Sequence, residues 1–161
     1  MEIFAKMTED GQVLSGRLAT MYAKELLISG GEKELQRAED YFTRIADGEE
    51  TTPDQMKEAV CVVVRGARLR GDFLKMYRYA MKDVASEGVS EVCYELGEYY
   101  FGQGDFKEAA IWFYNAAYET QSILNIHCGS DLPLNGLGRC YEALGMKEQA
   151  KEYYEEAAKA L

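Results

Sequence analysis

Apolar positions recur along this chain with a helical stride, and glycines cut the pattern into pieces of helix length. The interruptions stand at Gly11, Gly30-Gly31, Gly48, Gly71, Gly88, Gly104, Gly129 and Gly145, most of them where a helix would want a left-handed C-terminal cap. Start signals agree with the stops. Thr52-Pro53-Asp54-Gln55 reads as an N-cap, a first-turn proline and a capping-box glutamine, and Asp105 followed by Glu108 reads similarly. Only Cys61-Val62-Val63-Val64 looks like a strand, and it lies inside a segment whose Met56, Val60, Val63, Ala67 and Arg70 keep the helical stride. The pattern therefore predicts an all-α fold.

The helical pieces also repeat. Gly71-Asp72-Phe73 returns as Gly104-Asp105-Phe106, 33 residues later, each time joining two helical stretches. Leu96-Gly97, Tyr100, Gly104, Ala109, Phe113 and Ala116-Ala117 match Leu137-Gly138, Tyr141, Gly145, Ala150, Tyr154 and Ala157-Ala158, every pair offset by 41. A looser copy has Val64 in the place of Gly97 and Met76 in the place of Ala109, and a first copy has Tyr22-Ala23, Ala38 and Phe42 at the corresponding places. The shared motif is LG-x-x-Y, a turn glycine, then A-x-x-x-F/Y-x-x-A. It resembles the tetratricopeptide repeat (TPR), a helix-turn-helix unit of about 34 residues.

That resemblance implies a single domain over 1–161, a right-handed α-α superhelix (a solenoid) of about four hairpins. A short leading helix is expected at 2–10 and hairpins at about 15–47, 53–87, 90–125 and 132–161. It also suggests why small residues sit among aromatic ones. Gly97 is expected to face Ala109, and Gly138 to face Ala150, where helix axes approach to ~8–10 Å. Phe106, Phe113 and Tyr100 would fill the flanks, and Ala116 would admit the next helix.

The wording of particular segments carries a second resemblance. "SGRLATMYAKELLISG", "VCYELGEYYFGQGDFKEAAIWFYNAA", the extra residues ending in Pro133, and "LGRCYEALGMKEQA" together look like the TPR region that follows the catalytic domain in bacterial family-2 glycosyltransferases. The sugar-nucleotide fold of that family, with its metal-binding Asp-x-Asp, would lie upstream of these residues, which hold neither an Asp-x-Asp nor an alternating β/α pattern. The chain itself is thus expected to be no enzyme and to use no cofactor. The alternative is a free-standing TPR adaptor.

Composition narrows the partners. A net charge of −10 repels phosphate backbones and anionic membranes, and no basic run offsets it, so neither nucleic acid nor membrane insertion is expected. No apolar run reaches the ~20 residues of a membrane span. The start, MEIFAKMTEDG, is no secretory signal. Cys61, Cys93, Cys128 and Cys140 form no CxxC pair and fall in apolar helical patterns, which fits reduced thiols in the cytoplasm.

Catalytic and metal chemistry finds little support. His127-Cys128 is the one adjacent nucleophile-base pair, but neighbouring side chains diverge, and one His with one Cys completes no zinc set. Gly102-Gln103-Gly104 lacks the strand, third glycine and Lys of a phosphate loop. Trp112 and the tyrosine stripes stand at core spacing rather than as a sugar-stacking surface. The surface with a functional claim is the concave groove that the TPR resemblance implies, lined by the first helix of each hairpin. Its candidate residues are Arg17, Lys24, Arg65, Arg68, Tyr94, Glu98, Phe101 and Arg139, with Thr20, Glu58 and Glu91 among their neighbours on the same positions. Mixed charge with aromatics suits a peptide or protein partner, or the upstream domain of the same protein. With no polar segment after Ala160-Leu161 to cover Tyr153, Tyr154 and Leu161, a weak homodimer through that end is also expected.

Overall fold

The computed structural model describes residues 1–48 and 51–161. Among the described residues the fold is all-α. The helices are α1 (Glu2–Glu9), α2 (Gly16–Ser29), α3 (Glu32–Ala46), α4 (Pro53–Leu69), α5 (Phe73–Ser86), α6 (Ser90–Gly102), α7 (Phe106–Tyr114), α8 (Asp131–Ala143) and α9 (Lys147–Lys159). A π-helical turn, Asn115–Glu119, prolongs α7, and a 3₁₀ turn, Ile126–Gly129, precedes α8. The chain divides into two compact units, Met1–Asp83 and Val84–Leu161, with the boundary inside α5. In each, helices pack against their neighbours in sequence.

The repeated Gly-Asp-Phe motif does the same work twice. At the end of α6 the Gly104 N–H donates to the Phe101 carbonyl and the Asp105 N–H reaches back to the Tyr100 carbonyl; at the end of α4, Gly71 and Asp72 do the same to Arg68 and Ala67. This double closure of a helix C-terminus requires a left-handed residue, and the two glycines have φ of 79° and 82°. The aspartate then starts the next helix. Asp105 Oδ1 accepts from the Glu108 N–H and Asp72 Oδ1 from the Lys75 N–H, each at 3.2 Å. One short motif thus ends one helix and begins the next. The Gly30-Gly31 junction differs: both glycines have ordinary negative φ, −75° and −94°, so the α2–α3 link is extended.

In the first unit, α4 opens with the expected capping box. The Gln55 N–H donates to Thr52 Oγ1, Gln55 Oε1 accepts from the Thr52 N–H, and Pro53 stands in the first turn. The β-branched run Val62-Val63-Val64 is helical because α4 is buried nearly all round, from Ala59 to Val64 and at Gly66 and Ala67. Burying such side chains is worth ~1.5–3 kcal/mol each, more than their small helix-propensity deficit. α3 packs along α4, with Leu35, Ala38 and Phe42 buried, and a ring series Phe4–Tyr22–Phe42–Tyr41 joins α1, α2 and α3 at 5.2–5.4 Å between successive centroids.

A polar clamp closes this unit. The buried Glu39 carboxylate accepts from Arg70 Nε and Nη2, both at 2.7 Å, and from Lys75 Nζ at 2.8 Å. Burial alone would raise its pKa, but the Arg70 and Lys75 hydrogen bonds and charges outweigh that and hold it below the ordinary value. Tyr79 Oη donates to Asp47 at 2.7 Å, tying α5 to the end of α3.

The second unit is built around Phe113. Its ring is fully buried with Ala109, Leu134, Leu137, Cys140 and Ala157. The sequence pattern places Ala109 opposite Gly97, but the three atoms nearest to a Cβ built on Gly97 all belong to the Phe113 ring, the closest at 2.5 Å. The same ring would meet a Cβ on Gly136 at 2.7 Å. Gly138 likewise lies under the Tyr154 ring, whose atoms come nearest to its Cβ position, at 2.5 Å. Small residues let an aromatic ring of the second helix settle onto the backbone of the first, and Ala109 and Ala150 are buried beside that contact.

Candidate functional site

Four of the eight groove residues come together in the second unit. Tyr94, Glu98 and Phe101 follow one another along α6, and Arg139 projects from α8. The Arg139 guanidinium pairs with the Glu98 carboxylate and lies over two rings, 4.8 Å from the Phe101 centroid and 5.6 Å from that of Phe113. The Tyr94 ring lies 5.8 Å from that of Phe113. All four are half-buried. The site is therefore a polar pair seated on an aromatic platform, and the Phe113 ring that fixes the hairpin also forms part of the floor.

The electrostatics follow from burial. Desolvation foremost, then the Glu98 and Glu95 carboxylates, push the Tyr94 phenol well above its ordinary value, so it stays a neutral hydrogen-bonding group. Burial also pushes the neighbouring Cys140 thiol up to about 12. A thiol so raised is no nucleophile at neutral pH. The Arg139–Glu98 pair is partly exposed, 37% and 18% of the two side chains, which suits hydrogen bonding to a peptide more than proton transfer.

The other four candidates lie in the first unit. Arg17 and Lys24 are exposed on α2, and Arg65 and Arg68 are half-buried on α4. Between these two helices Thr20 Oγ1 donates to Glu58 at 2.7 Å. Glu91, placed among the groove positions by its repeat register, is elsewhere: it is fully buried, and its carboxylate accepts the backbone N–H groups of Ile123, Leu124 and Asn125 at 2.9, 2.6 and 2.8 Å. The residues between the π-helical turn and α8 wrap over the first turn of α6, and Glu91 holds them there. Ser90 adds two bonds, its N–H to the Gln121 carbonyl at 3.0 Å and its hydroxyl to the Ala116 carbonyl at 2.7 Å.

His127 and Cys128 diverge as neighbours in a turn do. His127 Nδ1 meets Asp131 Oδ1 at 2.6 Å with the imidazole half exposed, whereas Cys128 is buried. Among the described residues no three His, Cys, Asp or Glu side chains gather as metal ligands. Among the same residues, no helix is long and apolar enough to cross a membrane. Trp112 is half-buried and its indole N–H lacks a hydrogen-bond partner.

Sequence reasoning did not find Gly136 beneath Phe113, although the run Gly136-Leu137-Gly138 carries the signal of two small residues on a helix that must receive rings. It also missed the Glu91 anchor, for which no local signal exists.

Residues 89–161 match the family model of the tetratricopeptide repeat. No curated protein matches the chain. The matched interval lies within the second unit and contains Tyr94, Glu98, Phe101 and Arg139.

Proposed function

We propose that this chain is a non-catalytic TPR interaction module that binds a peptide or protein segment against the α6–α8 surface. The observation that carries the reading is the Arg139 guanidinium, paired with Glu98 and stacked on Phe101 inside the interval that matches the repeat. Arginine and aromatic side chains held rigidly at a half-buried surface are the residue types that dominate binding energy at interfaces. The first unit supports extension of the repeat to the whole chain, because Gly71-Asp72 and Gly104-Asp105 make the same pattern of cap bonds. Arg17, Lys24, Arg65 and Arg68 are proposed to contribute a second set of contacts from that unit.

The finer reading is that the module is the C-terminal part of a bacterial glycosyltransferase-like protein and positions a partner or acceptor beside an upstream sugar-transfer domain in the cytoplasm. The likeness of its segments to the region after family-2 catalytic domains supports this, and the four buried thiols suit a reducing compartment. The reading frame upstream of Met1 tests the parentage. An α/β domain with Asp-x-Asp supports it, and a stop codon rejects it in favour of a free-standing adaptor. If the domain exists, it should bind this chain in trans, and Arg139→Gln should weaken that binding about tenfold or more. Unchanged affinity would move the binding surface away from α6 and α8. The chain alone should turn over no nucleotide sugar.

Weak self-association through the end of α9 belongs to the same reading. Leu161 is 81% exposed just beyond α9, and on that helix Ala150, Tyr154 and Ala158 line a cleft together with the charged Lys147, Lys151 and Glu155. Sedimentation across a concentration series, comparing the chain with Leu161→Glu, tests it: a parent that stays monomeric at high concentration removes the claim.

A further inference from the structure

A second surface of the same unit gathers tyrosines around a cavity. Tyr114 and Tyr118 stand one turn apart at the end of α7 and its π-helical extension, with ring centroids 4.7 Å apart. Tyr141 of α8 and Tyr153 of α9 stack, with centroids 5.5 Å apart and planes inclined by 12°. These four rings, with Gln149, Glu152 and Glu156, line a cavity of about 460 Å³. Tyr118 Oη donates to Glu156 at 2.7 Å, which orients that carboxylate against the rings.

Helix packing alone accounts for part of this. It would explain Tyr141 and Tyr153, which are half-buried, but Tyr114 and Tyr118 remain 44% and 43% exposed along an open cavity. Among the described residues no Lys or Arg lines the cavity, and Glu152 has no ion-pair partner. Lys107 lies in the adjoining cleft, which shares Tyr114 and Tyr141. Tyrosine faces are electron-rich, so the rings and the exposed Glu152 and Glu156 carboxylates together create a negative wall. The Tyr153 and Tyr118 phenols lie above their ordinary value, burial being the larger cause. Tyr153 is raised by burial foremost and then by its neighbours Tyr141, Tyr114, Glu156 and Glu152; Tyr118 is raised by burial and then by Glu156.

The chain contains a filled version of the same arrangement. On the α6–α8 surface a guanidinium lies over Phe101 and pairs with a glutamate. The tyrosine cavity offers rings and glutamates of that kind without the cation.

We propose that the cavity between α7, α8 and α9 binds the side chain of an arginine presented by a partner polypeptide, the guanidinium lying against the tyrosine faces and donating to Glu152 and Glu156. Arginine fits better than lysine because its flat, weakly hydrated head stacks on rings while its N–H fork meets carboxylates. The net charge of −10 favours approach of a basic segment. This surface is distinct from the α6–α8 site, although α8 contributes to both, Arg139 to one and Tyr141 to the other.

The test is NMR titration of the full chain, with tyrosine rings labelled, using short capped peptides whose central residue is arginine, lysine or citrulline, and free arginine as a fourth probe. The arginine peptide should shift the rings of Tyr114, Tyr118, Tyr141 and Tyr153 saturably, with Kd on the order of 1 mM for so small a ligand. The lysine peptide should bind about fivefold or more weakly, and citrulline, which keeps the shape without the charge, should not bind. Glu152→Gln with Glu156→Gln should weaken the arginine peptide about tenfold while leaving the helical circular dichroism and the ring signal of Tyr94 unchanged. Absence of saturable shifts, equal binding of the citrulline peptide, or indifference to the double substitution would each overturn the proposal. Free arginine binding as tightly as the peptide would overturn its assignment to a polypeptide partner.

Discussion

The Phe113 ring rests on the backbone of Gly97 so closely that a Cβ at that position would lie 2.5 Å from the ring's Cδ1 and Cε1. The ring has no room to retreat, since it is fully buried and equally confined by Gly136. Gly97→Ala should therefore destabilise the second unit by about 1–3 kcal/mol through overpacking, read as a lower midpoint in chemical denaturation. Gly102→Ala on the same helix is the control, because nothing lies within 4 Å of its Cβ position. A melt of Gly97→Ala that matches this control would remove the ring from the account of the hairpin.

Gly138→Ala should cost less than Gly97→Ala, although a Cβ would meet Tyr154 at the same 2.5 Å. Tyr154 is half-buried, with its hydroxyl bonded to Glu142 at 3.2 Å near the surface, so its ring can swing outward. Denaturation of the two variants side by side checks the order, and a larger loss for Gly138→Ala would contradict it.

Replacing Glu91 by Ala should release the segment that precedes α8. Buried N–H groups at Leu124 and Asn125 would lose their acceptor, at a cost of about 1–3 kcal/mol for each group left unsatisfied. Hydrogen exchange reads this directly: the amides of Ile123, Leu124 and Asn125 should exchange much faster in the variant. Unchanged protection would mean that packing, not the carboxylate, holds the segment.

Stability of the first unit should fall in acid partly through Glu39. Its folded pKa lies below the ordinary value of 4.5, so the folded state binds fewer protons than the unfolded state near that pH. The stabilisation is complete above the ordinary value and is lost as the pH falls through the depressed one. Glu39→Gln should lower stability at neutral pH and flatten this acid limb. A variant whose stability declines with acid as steeply as the parent's would place the dependence on other carboxylates.

These outcomes also mark what the sequence made legible. The Gly-Asp-Phe junctions could be read because capping is local: one residue supplies a left-handed backbone and the next an acceptor three residues from the N–H it takes. The all-α reading rested on the same local signals and on the stride of Val60, Val63 and Ala67. The need for a small residue at Gly97 was visible too, but its partner was not. Which side chain lies over a glycine depends on how two helices rotate against each other, and the sequence pattern named Ala109 but not the Phe113 ring, whose atoms come nearest to Gly97. Glu91 was illegible for a stronger reason. Its partners lie 32 to 34 residues away in a segment without periodicity, so a glutamate on a helix in this register looks like any solvated one. Arg139 and Glu98 share one position of successive first helices because the repeat offset is itself 41, which the sequence shows; that the two pair, and that Arg139 stacks on Phe101, was not read from it.

The claim that α6 and α8 form a binding surface is tested most directly by a photo-crosslinking amino acid placed at Phe101 in cells that make the protein. The account predicts a discrete adduct with one polypeptide, suppressed by Arg139→Gln and absent when the crosslinker stands at exposed Lys33 on α3. No adduct from position 101, or the same adducts from positions 101 and 33, would contradict it.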